Sequence, residues 1–258
     1  MSVEVRLENE IAWISLNRPE LRNAFDPVMI QKLTQTFADL KTKKIRLAVL
    51  QGQGKVFCAG ADLSWMKQMV QYSFQQNQKD AEVLYAMFDE IATSPFPVLG
   101  KVHGAAFGGA LGLLAVCDEV IATDSTQFCF SEVKLGISPA VISAFLLRKV
   151  SAAWLTPWML SARIFSAAEA LQGGLVHALA SNQEQFDQMI QERLQNYRQV
   201  GMEAVRATKK LLMQLPSQSL EEQKQNVCQV IAERRVSTEG QEGLQSFLEK
   251  RTPSWRPE

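Results

Sequence analysis

The chain has 258 residues, 47% hydrophobic and 21% charged, enough to enclose a large core and suited to one α/β domain with an appended helical piece. Its 27 Lys and Arg residues balance 27 Asp and Glu residues. Bulk charge therefore argues against nucleic-acid or membrane-surface partners, and an anionic ligand would be held by a few local cations.

The first residues alternate as two strands, Val3–Leu7 and Ile11–Ser15, joined by a turn at Glu8–Glu10. This start does not read as a signal peptide, and a cytoplasmic location is expected. Asp26-Pro27 predicts a helix start, with Met29, Leu33, Phe37 and Leu40 on one face. Ile45–Gln51 predicts a buried strand. Lys55–Asp62, KVFCAGAD, predicts a short strand, a tight turn and a helix from about Asp62. The Gln-rich run Gln68–Lys79 predicts a mobile loop or loosely held helix ahead of a helix at Ala81–Thr93. A strand at Val98–Val102 leads into the glycine-rich turn Gly104–Gly109, an apolar helix at Ala110–Val116 and a strand at Glu119–Ala122. That apolar run is too short to span a bilayer. Ser138-Pro139 predicts the cap and start of a helix over Ala140–Lys149, another helix covers Ala152–Leu160, and Ser166–Glu169 spell a capping box. After a short strand at Leu175–Leu179, four helices are predicted at Glu184–Val200, Met202–Leu215, Leu220–Val236 and Glu239–Glu249. Alternation up to about residue 180 implies parallel strands with helical crossovers, an architecture that binds ligands at strand ends.

Cys58, Cys117, Cys129 and Cys228 form no CxxC pair and have apolar neighbours, so free thiols in a reduced compartment are expected. His103 and His177 lie in no nucleophile motif, and no metal site is expected. Two turns carry the chemical signal. FCAGAD and GAAFGG each follow a strand and precede a helix, and each leaves a backbone N–H uncovered, at Ala61 and at Gly109, with Gly108 beside the latter. Two such donors aimed at one point would stabilise the oxygen of a thioester carbonyl as negative charge develops. Either turn by itself is also what a packed α/β core uses, and neither is a P-loop or a GxGxxG motif. Glu132 sits among apolar residues, which raise a carboxyl pKa and suit it to proton transfer.

In combination, NRPELRNAF, FCAGADL, HGAAFGGALGLLAVCD, FSEVKLGISP and GQEGLQSFLEKRTPSW resemble the crotonase (enoyl-CoA hydratase/isomerase) superfamily over nearly the whole chain. The resemblance implies an α/β crotonase (ClpP/crotonase-like) fold, a β-β-α superhelix. It also implies a core at residues 1–200 and a helical region at 201–258 that packs in trimerisation, giving a homotrimer or homohexamer. The implied substrate is an acyl-CoA thioester, with coenzyme A part of the substrate and no separate cofactor. Ala61 and Gly109 match the oxyanion positions, and Ala59, Asp62 and Leu63 match positions along the CoA path. Arg22 matches a basic position near the CoA phosphates, and Lys250 a C-terminal base that reaches a neighbour's CoA.

One departure bears on the reaction. Hydratases of the family have two glutamates flanking the substrate double bond; Glu132 matches the second, but Gly112 stands where the first would be. One carboxyl is enough to move a proton between two carbons, as in the Δ3,Δ2-enoyl-CoA isomerases of the family. Water addition with one glutamate needs other polar groups to hold the water. Gly112 is expected to vacate volume for a branched or carboxylated acyl group or a second water. Pro139-Ala140-Val141-Ile142 replaces the usual glycine-rich turn and reshapes the acyl pocket. Several consecutive residues resemble the branch handling 3-methylglutaconyl-CoA in leucine breakdown. The expected activity is a lyase acting on a 2-enoyl-CoA, with an isomerase using the same Glu132 and a non-catalytic CoA-binding oligomer as alternatives.

Overall fold

The computed structural model describes residues 2–256. Met1, Pro257 and Glu258, at the outer ends of the two expected segments, lie outside the described residues. Strand β1 (Val3–Glu8) turns back on β2 (Ile11–Leu16) through Asn9 and Glu10, both left-handed. Helix α1 (Pro27–Lys41) starts where its signals place it, with the Asp26 carboxylate accepting from Met29 N–H at 2.7 Å. The body continues through β3 (Leu47–Gly52), α2 (Leu63–Met69), α3 (Phe74–Ala92), β4 (Val98–Val102), β5 (Ala105–Phe107), α4 (Ala110–Val116), β6 (Glu119–Thr123) and β7 (Gln127–Cys129). It is completed by α5 (Ala140–Leu146), α6 (Ala152–Ser161), β8 (Phe165–Ser166), α7 (Ala167–Gln172) and β9 (Ala178–Ala180). Four helices follow: α8 (Gln183–Arg198), α9 (Met202–Gln214), α10 (Leu220–Val236) and α11 (Thr238–Leu248).

A six-stranded sheet runs β1-β2-β3-β4-β6-β9, parallel except for the β1–β2 hairpin. A smaller sheet, β5-β7-β8, stands beside it. The chain visits both sheets in each repeat: β4 then β5 then α4, β6 then β7 on the way to α5. In the two earlier repeats the second strand shrinks to single bridges, Phe25 to Ala61 and Cys58 to Ala106. The segment before Ala59 is therefore not the short strand its sequence suggests. Its Phe57 and Cys58 N–H groups donate to His103 and Ala105 carbonyls, but the pairing ends before a ladder forms.

Alternation along the buried strands divides the core between the two faces of the large sheet. Ala48 and Leu50 join the main cluster under α1, α3, α4 and α5, whereas Leu47 and Val49 point the other way onto Phe186, Ile190 and Leu194 of α8. The C-terminal helices are tied to this body by polar groups. Arg46 donates to the Tyr197 and Val200 carbonyls, and Lys209, 8% exposed, donates to Phe96 O and to Asp118. Among the described residues no helix is long and apolar enough to cross a membrane.

Of the two expectations for the Gln-rich run, the helix holds, and two other local expectations need correction. The Gln-rich run is mostly helix: Ser73 and Gln76 form a capping box that starts α3 at Phe74. Hydrophobic periodicity is weak there because that end of the helix is exposed, and the capping box supplies the order. Ser138 does not cap α5, whose first flanking residue is Pro139 with no side-chain cap. The strand expected at Leu175–Leu179 forms at Ala178–Ala180, where the chain meets β6.

Candidate active site

The two glycine-rich turns lie side by side because the backbone ladders around them are shared. Cys58 N–H donates to Ala105 O and Phe107 N–H to Cys58 O, both at 3.1 Å. Phe25 N–H donates to Gly60 O at 2.7 Å, and Phe25 O accepts from Asp62 N–H at 2.7 Å. In such a parallel bridge the residue between the two partners turns its own N–H away, so Ala61 is left with a free donor. Gly60, at φ +95°, is packed so closely that a Cβ would stand 2.9 Å from Phe107 O and 3.8 Å from Gly108 Cα. On the other turn, Gly108 N–H donates to Cys129 O at 2.8 Å, while Gly109, at the start of α4, keeps an orphan N–H. Among the described residues neither Ala61 N–H nor Gly109 N–H has an acceptor. Phe25 spans the pair: its backbone bridges Ala61, and a Cβ on Gly109 would lie 3.5 Å from its ring.

Glu132 reaches this place through β7. Pairing of Ala105 with Gln127 and of Phe107 with Cys129 brings the two chain segments into step, so that the 3₁₀ turn Glu132–Leu135 begins beside Gly108. A Cβ on Gly108, at φ +53°, would stand 3.4 Å from Glu132 Oε1 and 3.3 Å from Ser131 Oγ. Those are close but tolerable contacts, and it is the left-handed backbone that favours glycine at this position. Glu132 Oε2 is buried and has no hydrogen-bond partner among the described residues. Burial raises the Glu132 pKa above the usual carboxylate value, and its own backbone N–H opposes the shift only in part.

The other expected site residues are placed in four ways. Ala59 and Arg22 adjoin the turn pair: Ala59 N–H donates to Arg22 O at 3.0 Å, and Arg22, held at φ +54°, leaves its guanidinium exposed. Leu63, 75% exposed, opens α2 next to Ala61, and Pro139 is buried at the head of α5. Asp62 is 5% exposed, and its carboxylate is engaged by the fold. It caps α2 through the Ser64 N–H and hydroxyl and pairs with Arg18 at 2.8 Å. Those Ser64 hydrogen bonds, followed by Arg18, hold its pKa below the usual carboxylate range. Lys250 stands apart, exposed at φ +57° just past α11, whose packing partners are α9 and α10.

Gly112 is the clearest correction. The position does not open a space. A Cβ there would stand 2.5 Å from Phe88 Cζ and 2.6 Å from Ile142 Cγ2, both side chains being buried. The volume a first glutamate would occupy is filled by α3 and α5 packing directly on α4. Asp118 and Glu119, the nearest acids in sequence, are engaged elsewhere. Asp118 accepts from Val98 N–H and Lys209, and Glu119 pairs with Arg193 at 2.6 Å.

Two supporting residues were not singled out from the sequence. Asn23, fully buried at φ +55°, donates to the Gln53 and Val56 carbonyls and accepts from Arg18 N–H, so it fixes the first turn against the loop before α1. Arg18 bridges Asp26 and Asp62 at 2.9 and 2.8 Å. Both lie inside NRPELRNAF, where adjacent polar residues in an otherwise apolar neighbourhood are the available signal. Burial pushes the Cys58 and Cys117 thiols up to about 12, which disfavours a thiolate nucleophile at either. Among the described residues no three His, Cys, Asp or Glu side chains are grouped as metal ligands would be.

The family model described as enoyl-CoA hydratase/isomerase matches residues 6–258. The chain belongs to the enoyl-CoA hydratase/isomerase family. An enoyl-CoA hydratase from Shewanella pealeana shares 36% of its sequence and superposes with a TM-score of 0.94 over 99% of this chain and 96% of its own. Pseudomonas aeruginosa AtuE is 30% identical, with a TM-score of 0.96 over the whole of both chains. A Thermus thermophilus protein named as an enoyl-CoA hydratase is 31% identical over 95% of this chain and 97% of its own length. The two-sheet superhelix with its helical C-terminal region is the crotonase fold of this enzyme family.

Proposed function

We propose that this enoyl-CoA hydratase/isomerase family member adds water to, or removes it from, a 2-enoyl-CoA thioester, with Glu132 as the one general acid/base. The observation that carries the proposal is the buried, unpartnered Glu132 Oε2 beside the turn that ends in the free Gly109 N–H. A buried polar atom that the fold leaves unsatisfied is available to a ligand. Ala61 and Gly109 N–H groups receive the thioester oxygen and stabilise the enolate that forms when water oxygen bonds to C3. Glu132 takes one proton from that water and returns it to C2, so the elements of water are added and the carboxylate is regenerated.

Ala59, Leu63 and the backbone of Asp62 line the CoA path in this reading, Gly108 and Pro139 border the acyl site, and Arg22 meets the CoA phosphates. The motif residues favour 3-methylglutaconyl-CoA or a related branched enoyl-CoA; the closed wall at Gly112 removes extra volume as a reason for that choice. A Δ3,Δ2-enoyl-CoA isomerase is the second reading, favoured by the single carboxyl beside the turns. The protein acts as a homotrimer or homohexamer in which Lys250 reaches a neighbour's CoA. Exposed Leu220, Val236, Phe247 and Leu248 on or beside the C-terminal helices support that assembly.

The test is product mass. Crotonyl-CoA, 3-methylglutaconyl-CoA and a 3-enoyl-CoA are each incubated with the protein. A gain of one water on a 2-enoyl-CoA is expected; unchanged mass with a moved double bond would give the isomerase instead, and no turnover would leave a CoA-binding oligomer. Glu132→Gln is expected to lose about 10²–10⁴-fold in rate. Light scattering of the same preparation at the chain mass alone would remove the oligomer.

A further inference from the structure

Helix α4 has an unusual support problem. It is seven residues long, begins at a glycine with no side-chain cap, and carries no basic residue of its own in the last turn. A capping-box side chain at the third helical position, where Gly112 stands, would compete with the ligand for the Gly109 N–H, so α4 is better anchored at its other end. The anchor present there is Lys149, just beyond the end of α5. Its Nζ donates to Leu114 O at 2.8 Å and to Cys117 O at 2.6 Å, two of the orphan carbonyls of the α4 C-terminus. At the opposite end of the same helix pair, Gly112 lets Ile142 of α5 pack against the α4 backbone. Two helices joined by backbone contact near the site and by a cation at the far end make a rigid frame. Gly109 heads one member, and Glu132 lies eight residues ahead of the other, in the turn that leads into it.

We infer that Lys149 is a positioning residue: by stapling α4 to α5 it holds the Gly109 N–H at its working distance from Glu132. The inference rests on the roles given to Gly109 and Glu132 above. The staple is charge-assisted and aligned with the helix dipole, which makes it stronger than a neutral hydrogen bond. It is also largely shielded from water. Burial draws the Lys149 ammonium down to about 8, against the opposing pull of Cys117, Asp118 and Glu119. His177, on the segment entering β9, is lowered by burial and then by Lys149. Displacements of about 1 Å between catalytic groups can cost 10²-fold in rate, so a loosened α4 would be felt in turnover before substrate binding.

The experiment compares Lys149→Met, Lys149→Arg and Glu132→Gln with the unaltered enzyme, using the 2-enoyl-CoA that the product-mass assay shows to be turned over. A cinnamoyl-CoA probe is bound in parallel, since its absorption moves to the red as its carbonyl is polarised. Lys149→Met is expected to fold, lose about 10–100-fold in kcat with KM changed less than about threefold, and show a diminished red shift. Lys149→Arg should recover most of the kcat and the red shift, and Glu132→Gln should keep the red shift while losing turnover. If Lys149→Met does not fold, Lys149→Gln, which keeps an N–H donor but loses the charge, is read in its place for smaller losses of the same kind, about 3–10-fold in kcat. Unchanged kcat and red shift in the folded Lys149 variant, with Glu132→Gln inactive, overturn the Lys149 role alone. Full activity in Glu132→Gln overturns the site reading and the inference with it.

Discussion

Glu132, by the start of α4, and Asp118, just past its end, are carboxylates beside the same short helix, yet the fold treats them oppositely. Asp118 accepts from the Val98 N–H at 2.7 Å and from Lys209 at 2.6 Å, joining β4, α4 and α9 at one point. Glu132 has one buried oxygen with no partner, against a turn whose next N–H is also free. The difference separates structural from chemical polarity. An acid completed by the protein has no capacity left for a substrate, whereas one left incomplete carries a desolvation cost that is useful only when a ligand arrives. Nearness in sequence to the glycine-rich turn would have favoured Asp118; what decides is which hydrogen bonds are already made.

The strongest way to break this contrast is to force a third carboxylate onto α4 between the other two. Gly112→Glu restores the acid that the family's hydratases have, but its Cβ meets Phe88 and Ile142 at 2.5 and 2.6 Å. Overpacking plus a carboxyl placed against two buried apolar side chains should cost about 4 kcal/mol or more, with no gain in hydration rate. Urea denaturation and the product-mass assay read both effects. Adding Phe88→Ala should recover part of the stability. A stable Gly112→Glu single variant with faster hydration would show that the wall yields easily and that the missing acid, rather than the packing, limits the reaction.

Gly112 also marks where sequence reasoning stops. Removal of a side chain is visible in the sequence, but the response of neighbouring helices is not, because Phe88 lies 24 positions upstream and Ile142 30 positions downstream. Features determined by local chemistry were legible. Ala110–Val116 and Leu220–Val236 have the expected bounds, and the Ser166–Glu169 capping box makes both of its hydrogen bonds. Parallel order followed from strand–helix alternation, but the second small sheet, built from strands of two or three residues, did not. Glu132, Ala61 and Gly109 could be picked out because their surroundings in the chain are small or apolar. Asp62 shows the converse: its place in FCAGADL suggests a ligand contact, but only the folded chain brings up Arg18 to occupy it.

A smaller effect tests the completed acid. Asp118→Ala leaves the Val98 N–H and the nearly buried Lys209 ammonium without their carboxylate. With Asp118 itself about one-third exposed, solvent softens the loss, and about 2 kcal/mol is expected in denaturant unfolding. Turnover of the folded variant should stay within a few-fold of the original, since Asp118 touches neither turn. A large drop in kcat at unchanged stability would place Asp118 in the chemistry and erase the distinction between the two acids.

The smallest effect tests the incomplete acid through stability rather than rate. Burial raises the Glu132 pKa above its ordinary value, so the folded protein binds its proton more tightly than the unfolded chain does. The stabilisation from that proton is fully present below the unfolded pKa and is lost as pH rises through the folded one. Glu132→Gln cannot ionise. Relative to the unaltered protein it should therefore gain stability as pH rises from the carboxylate range to neutrality, by a few degrees in Tm at most. The comparison is made at pH 4 and pH 7 on both proteins, so that every other titrating group cancels. A difference that shrinks toward neutral pH would mean that the ionised Glu132 is stabilised by the fold, as a completed carboxylate is, and the free oxygen would no longer mark the reacting group.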